Sequence, residues 1–215
     1  MNTKEPFVIN ISREVGSGGH TVGSILASRL GVRYCDKFLL ETLQKQFDLS
    51  AEAIENLKGK KKNWLEDFLN IVTPVPPQNA LGLGSKYTHE LRVDITPDDI
   101  YTAEAEILRG FAQAGSCVIA GRSGFHVFKD HPNKLNVFIG ASLPYRIDRV
   151  MKKQGITEQE AKDLIHKIDR TRENFVRRIA LVSRYDLRNY DLVLNMDYLN
   201  EDEAVDVILK AINAK

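Results

Sequence analysis

Three groups of residues in this chain have the types and spacings that handle phosphate. The first is Arg13-Glu14-Val15-Gly16-Ser17-Gly18-Gly19-His20-Thr21, a glycine-rich run between an apolar segment and a helical one. A turn in that setting directs backbone N–H groups and the positive end of a helix at an anion, so Gly16, Ser17, Gly18, Gly19, His20 and Thr21 are candidates to cradle phosphates. The second group is the segment from Arg146 to Arg188, where twelve basic residues meet seven acids, a local excess of +5 in a chain whose total is +1. Arginine's planar fork binds phosphate oxygens in pairs and stays charged when desolvated, as stabilising a transferring phosphoryl group requires. The third is Gly121-Arg122-Ser123-Gly124, at the carboxyl end of the apolar run Ser116-Cys117-Val118-Ile119-Ala120. Open α/β sheets bind their ligands at that edge.

The nucleotide-binding pattern G-x-x-x-x-G-K-[ST] places a lysine against the β/γ-phosphates and a hydroxyl on Mg²⁺. Two registers are open here. With Gly18 as the last glycine, Gly19 stands for the lysine, His20 for the hydroxyl residue and Arg13 for the first glycine. With Gly19 as the last glycine, His20 stands for the lysine, Thr21 supplies the hydroxyl and Glu14 stands first. Neither register contains the lysine, and Arg13 at the mouth of the loop is the nearest permanent cation. The alternative is a sharp turn that binds nothing. Arg146 and Arg149 lie three apart on one helical segment, so both can face one ligand. For the arginine cluster the alternative is a solvated helix whose Asp169 and Glu173 pair with Arg170 and Arg177.

These groups need elements to hold them. Phe7-Val8-Ile9-Asn10-Ile11 reads as a buried strand entering the glycine turn, followed by a helix with Val22, Ile25, Leu26 and Leu30 at helical spacing and Gly31 as its stop. Val32 to Cys35 reads as a short second strand, and Asp36 stands where it would cap a helix through Lys45. The stretch from Ser50 to Thr96, with its Lys58–Lys62 run and a Pro/Gly-rich part, reads as an excursion from the core. A helix from near Pro97 places Tyr101, Ala105, Leu108 and Ala112 on one face. Ser116 to Ala120 and Asn136 to Ile139 are apolar without alternation, as strands covered on both faces are. Helices follow at Pro144 to Lys153 and from Glu158 to about Ile179, and a strand over Asp191 to Asn195 precedes a last helix through Ile212. Strands alternating with helices predict an α/β fold with a mainly parallel sheet.

The motifs Ile11-Ser12-Arg13-Glu14-Val15-Gly16-Ser17-Gly18-Gly19, Leu30-Gly31-Val32-Arg33-Tyr34-Cys35-Asp36 and Val118-Ile119-Ala120-Gly121-Arg122 together resemble the cytidylate kinase-like family of P-loop nucleoside monophosphate kinase relatives. Gly155-Ile156-Thr157-Glu158, Asp169-Arg170-Thr171-Arg172 and Asn189-Tyr190-Asp191-Leu192-Val193-Leu194-Asn195 match in the same order, and the match is weakest from about Gly59 to Asp94. The resemblance implies a P-loop NTPase-type fold with five parallel strands, ATP and Mg²⁺ as cofactors, and one domain over residues 1–215. In that domain the core would be about 1–40, 95–144 and 186–215, the inserted acceptor-binding region about 41–94 and a helical lid about 145–185. It also implies roles. Asp169 and Arg172 match the Asp-x-x-Arg of the lid, where the arginine meets phosphates, and Arg122 matches an arginine that contacts the monophosphate. Ser123 replaces the aspartate that helps read cytosine, and Ile165 stands where a further lid arginine is expected. Asp36 matches an aspartate near phosphates and metal, with the helix cap as its alternative.

With 43% apolar and 27% charged residues the composition is that of a globular protein, and a net charge of +1 offers nucleic acid or an anionic membrane no overall attraction. Cys35 and Cys117 are too few for a disulfide framework, the amino terminus MNTKEPFVIN lacks an apolar signal core, and no histidine has zinc-ligand spacing to another ligand. The expectation is a cytoplasmic phosphotransferase that acts on small nucleotides, without nucleic-acid or membrane partners. Its catalytic residues would be Arg13, Arg146, Arg149 and Arg172, its acceptor site Asp36, Arg122, Ser123 and Asp169, and its Mg²⁺ ligands Thr21 and Asp36. CMP or dCMP is the expected acceptor. A nucleotide-binding regulatory protein without turnover, or a kinase for another small molecule, are the rival expectations.

Overall fold

The computed structural model describes residues 1–36, 101, 105 and 108–213. Five strands form one sheet: β1 (Val8–Arg13), β2 (Arg33–Cys35), β3 (Cys117–Ala120), β4 (Lys134–Gly140) and β5 (Leu192–Asn195). Their order across the sheet is β2-β3-β1-β4-β5, and every neighbouring pair is parallel. This is the expected five-stranded parallel architecture, with β1 in the middle and its carboxyl end opening into the glycine turn.

Parallel sheets need cover on both faces, and the runs of β1, β3 and β4 are buried as their unbroken apolar character predicts. One face is covered by α1 (Gly19–Leu30) and the carboxyl-terminal helix. Val22, Leu26 and Ala27 meet Ile11, Val137, Ile139, Ala204, Val205 and Ile208 there in one core. The other face is closed by Leu108 and Ala112 of helix α2 (108–113), with Val8, Cys35, Cys117, Ile119 and Phe128. Residues 101 and 105 are also helical, and Ala105, Leu108 and Ala112 are buried together as their spacing predicts. β5 at the edge is only partly covered, with Val193 46% exposed.

A short helix α3 (Gly124–Val127), absent from the sequence reading, follows β3. Then come α4 (Leu143–Gln154) and α5 (Glu158–Ala180), which pack through Ile147, Val150, Ala161 and Ile165 into a separate small core. Ser142 caps α4, Gly155 ends it at φ +67°, and Thr157 with Glu160 forms a capping box that starts α5. The last helix, α6 (Glu201–Asn213), is tied to α1 at the surface by Arg29 with Asp202 and Asp206. None of the described helices is long and apolar enough to cross a membrane. The helix expected after Asp36 and the acceptor-binding region expected over 41–94 lie outside the described residues.

Ile139 is fully buried near the carboxyl end of β4. Ile139→Ala is expected to cost about 3 kcal/mol through lost transfer energy and a residual cavity, measured as a lower urea midpoint with an unchanged slope.

Candidate phosphate-binding site

The carboxyl ends of β1, β2 and β3 bring Arg13, Asp36 and the Gly121-Arg122-Ser123 turn to one edge of the sheet. Beside them, Gly18 caps α1 from the left-handed conformation at φ +83°, and Gly16 is left-handed too, at φ +81°. No side chain caps α1 and no acid lies in its first turn, so its first N–H groups and positive dipole end are left for an anion.

The cap selects between the two registers. The helix opens at Gly19 after Gly18, so Gly18 is the last glycine of the pattern, Gly19 stands in the lysine's place and His20 in the hydroxyl's. The reason no side chain stands at residue 19 is steric. A Cβ on Gly19 would meet Arg13 Cβ at 2.6 Å and Cγ at 3.1 Å. The same arginine crosses Gly121, where an added Cβ would lie 1.9 Å from Nη1. Arg13 therefore runs through space left open by two glycines and ends 3.6 Å from the Asp36 carboxylate.

Asp36 is almost fully buried and makes a second contact, with Oδ2 2.5 Å from His20 Nδ1. Burial works to raise its pKa, but the hydrogen bond from His20 and the charges of Arg13 and Arg122 outweigh it and hold the carboxyl at about 2. An ionised carboxylate only accepts, so His20 Nδ1 carries the shared proton. The Tyr34 hydroxyl donates to the His20 carbonyl at 3.0 Å, and burial first, then Asp36, pushes the phenol's pKa up. Next in chain to β3, Arg122 and Ser123 adopt left-handed conformations at φ +57° and +53°, each costing about 1–2 kcal/mol for a residue with a Cβ. Both are buried, and the Ser123 hydroxyl makes no hydrogen bond.

On the other side of the loop, a single carboxylate ties α4 and α5 together. Asp169 of α5 accepts the Val15 N–H at 3.1 Å and Arg146 Nη1 at 2.6 Å. Arg172 and Arg184 stand 3.8 and 3.7 Å from its other oxygen. Those two arginines also donate to the Arg13 carbonyl, Arg172 at 3.1 Å and Arg184 at 2.5 Å. Burial and then the like charges of Arg13 and Arg184 lower the pKa of Arg172, which as a guanidinium keeps its proton at neutral pH. Arg146 reaches Glu14 at 3.6 Å as well, and its main chain lies against Gly16, where a Cβ would meet the Arg146 carbonyl at 2.7 Å. Glu14, whose pKa is raised by burial against the opposing pull of Arg146, accepts the Ala141 N–H at 3.2 Å. Arg149 pairs with Glu201, with its guanidinium 3.4 Å from the Cβ position of Gly18.

Arg13, Arg146, Arg149, Arg172 and Asp169 lie against the glycine loop, Asp36 meets Arg13 and His20, and Arg122 and Ser123 follow β3 at the same edge of the sheet. His20 is tied to Asp36, whereas Thr21, expected as a Mg²⁺ ligand, is exposed one residue beyond the hydroxyl's place on α1, and its side chain makes no hydrogen bond among the described residues. Of the surface pairs expected on α5, Glu173 with Arg177 is present. Arg184 and Glu14 were not singled out by sequence. Glu14 carries only the signal of standing at the loop's first position, and Arg184 meets Arg13 across 171 residues, a contact no local pattern encodes.

Among the described residues no group of three or more His, Cys, Asp or Glu side chains converges as a cage. Mg²⁺ in phosphate sites takes only one or two carboxylates beside substrate oxygens and water. Asp36 Oδ1, buried and without a hydrogen bond, is a hard oxygen that fits such a role, directly or through water.

The model of the cytidylate kinase-like family matches residues 8–198. The chain belongs to the cytidylate kinase-like family. A cytidylate kinase of Sulfolobus acidocaldarius is 26% identical over 212 residues, covering 96% of this chain and 94% of that relative. Among solved structures, an uncharacterized protein from Eubacterium ventriosum superposes with a TM-score of 0.70 at 23% identity, over 97% of this chain and 99% of that one. The shikimate kinase from Bacteroides thetaiotaomicron has a TM-score of 0.54 at 15% identity, over 96% of this chain and 98% of that one. The fold is that of the P-loop kinases, and this family member builds its glycine loop around an arginine.

With its pKa depressed in the folded state, Asp36 contributes stability that is complete above the unfolded value near 4 and is lost as the pH falls through about 2. The contribution is on the order of 2 kcal/mol. Thermal unfolding followed from pH 5 to pH 2 should fall less steeply in Asp36→Asn than in the native protein. Gly121→Ala, by displacing the Arg13 guanidinium, should raise the Asp36 pKa toward 3.8, read from its carboxyl carbon shift in an NMR titration.

Proposed function

We propose that this protein transfers the γ-phosphoryl group of ATP to a small acceptor, a nucleoside monophosphate such as CMP or dCMP. The observation that carries the reading is the charge balance at an uncapped helix end. Five guanidinium groups, Arg13, Arg122, Arg146, Arg172 and Arg184, stand with three carboxylates, Glu14, Asp36 and Asp169, around the glycine loop. That excess of positive charge in a desolvated setting suits a bound polyphosphate. Family membership and the cytidylate kinase relatives support the same chemistry.

In this reading the N–H groups of Gly16 to Thr21 hold the donor phosphates, and Arg13 takes over the charge of the absent lysine. Its guanidinium lies between the helix end and the Asp36–Arg122 side, which is where the transferring group passes from donor to acceptor. Arg122 binds the acceptor phosphate from its strained turn, with the Ser123 hydroxyl beside it. Arg146, Arg149 and Arg172 approach from the lid helices and stabilise charge as the phosphoryl group moves, while Asp169 keeps Arg146 and Arg172 in place. Mg²⁺, held through Asp36, would neutralise phosphate charge. A phosphate acceptor is already an anion, so positioning and charge carry the reaction without a general base. Asp36, held at about 2, is too weak a base for that task in any case.

The second reading is a nucleotide-binding regulator without turnover, favoured by Gly19 in the lysine's place. A kinase for a different small molecule is favoured by Ser123, whose unpartnered hydroxyl replaces a base-reading aspartate.

ADP release with ATP and Mg²⁺, measured against CMP, dCMP, UMP, AMP and GMP, separates the readings. One monophosphate should give turnover, and Arg13→Ala and Arg172→Ala should each lower kcat by about 10²–10³-fold. ATP binding with no acceptor phosphorylated would replace monophosphate kinase activity by one of the two alternatives.

A further inference from the structure

Arg184 lies just beyond α5, outside every motif of the family resemblance, yet it is among the most deeply buried charges of the described residues, at 4% exposure. Its main chain is held at both ends. Its N–H donates to the Glu173 carboxylate at 3.0 Å, and its carbonyl accepts the Tyr190 hydroxyl at 2.7 Å. Tyr190 is itself packed against Phe125 and Phe138, so the clamp belongs to the core of the domain rather than to the lid helix alone. The guanidinium lies over the Tyr185 ring, 5.3 Å from its centroid. From there Nη2 donates to the Arg13 carbonyl, while Nη1 is buried without a hydrogen bond, 3.7 Å from Asp169.

A packing role does not account for this arrangement. Burying an arginine and leaving one donor group without an acceptor costs free energy that an apolar side chain of similar volume would avoid. What the cation does is fix the last residue of β1. Arg13 is the residue whose side chain fills the lysine's space, and its direction over Gly19 and Gly121 depends on where its main chain is held. Arg172 shares the same carbonyl, but it comes from the α5 lid helix, whereas Arg184 is anchored through Tyr190 to the aromatic cluster beside β4.

We propose that Arg184 is a positioning residue for phosphate, acting through Arg13: by holding the Arg13 carbonyl from the domain core it sets the substitute cation of the lysine-less loop. The proposal rests on the phosphoryl-transfer reading for its consequence in catalysis, but phosphate binding tests it separately.

The experiment is a double-mutant cycle on the full chain with Arg13→Ala, Arg184→Met and the double variant, and Lys152→Ala on the exposed face of α4 as a surface control. Binding of inorganic tripolyphosphate is measured by calorimetry, turnover by ADP release, and folding by thermal unfolding. Arg184→Met should weaken tripolyphosphate binding by about tenfold, and the double variant should bind no more weakly than Arg13→Ala alone, because the two act as one unit. Arg184→Lys, which keeps a charge but not the fork, should recover only part of the loss. In turnover the Arg184→Met loss should fall mainly on kcat. If Arg184→Met does not fold, Tyr190→Phe replaces it in the cycle. It should weaken binding about threefold with Arg13 present and have no effect in Arg13→Ala.

Losses that multiply in the double variant, or binding in Arg184→Met equal to the native protein, would overturn the proposal, as would a native protein that binds no tripolyphosphate. Coupled losses in binding with no turnover for any acceptor would leave Arg184 as assigned and remove the kinase reading instead.

Discussion

The carboxylate of Asp169 is the contact on which the site depends. Three guanidinium groups, those of Arg146, Arg172 and Arg184, lie within 4 Å of it, and one of its oxygens also takes the Val15 amide of the glycine loop. Without that negative charge the three cations would repel one another in a poorly solvated space, and no geometry would hold them together. With it, α5 is bound to the loop through charge-assisted hydrogen bonds that add to the packing of Val15 against the small core between α4 and α5. Breaking such a buried network leaves charges without partners, which is why a single carboxylate can govern several elements at once.

The same economy of space explains the missing lysine. In the usual pattern a lysine rises from the first residue of the helix to the phosphates. Here, in the proposed reading, the charge would come from the end of the preceding strand, and Arg13 passes over both Gly19 and Gly121, where a Cβ would collide with it. A guanidinium delivered this way is always charged and offers several donors in one plane, so the loop would trade a mobile point charge for a fixed planar one. Asp36 completes the exchange. It pairs with Arg13 on one side and His20 on the other, so the cation is balanced without being fully neutralised, given Arg122 nearby.

Much of this was readable from the sequence because it is encoded locally. Unbroken apolar runs marked β1, β3 and β4, helical spacing marked α1, α4, α5 and α6, and Gly31 marked the end of α1, each within a residue or two of the observed limits. The glycine turn and the arginine excess were local as well, as runs of residue types whose chemistry does not depend on distant partners. What escaped were features set by approach across the fold. The short helix α3 has too few residues to show a period, and the two left-handed residues before Gly124, Arg122 and Ser123, carry no glycine signature.

The sequence by itself determined that the chain is an α/β protein with a glycine-rich loop between a strand and a helix, an arginine-rich later segment and no lysine at that loop, because periodicity, turn chemistry and charge are properties of neighbouring residues. Only the tertiary structure decided which glycine opens α1, that the side chain of Arg13 fills the space a Cβ at residue 19 would need, and that Arg184 reaches the carbonyl of Arg13 across 171 positions. Those outcomes depend on how strands stack and which side chains collide. Steric exclusion and the pairing of buried charges act between residues far apart in the chain, and they exist only once the chain has folded.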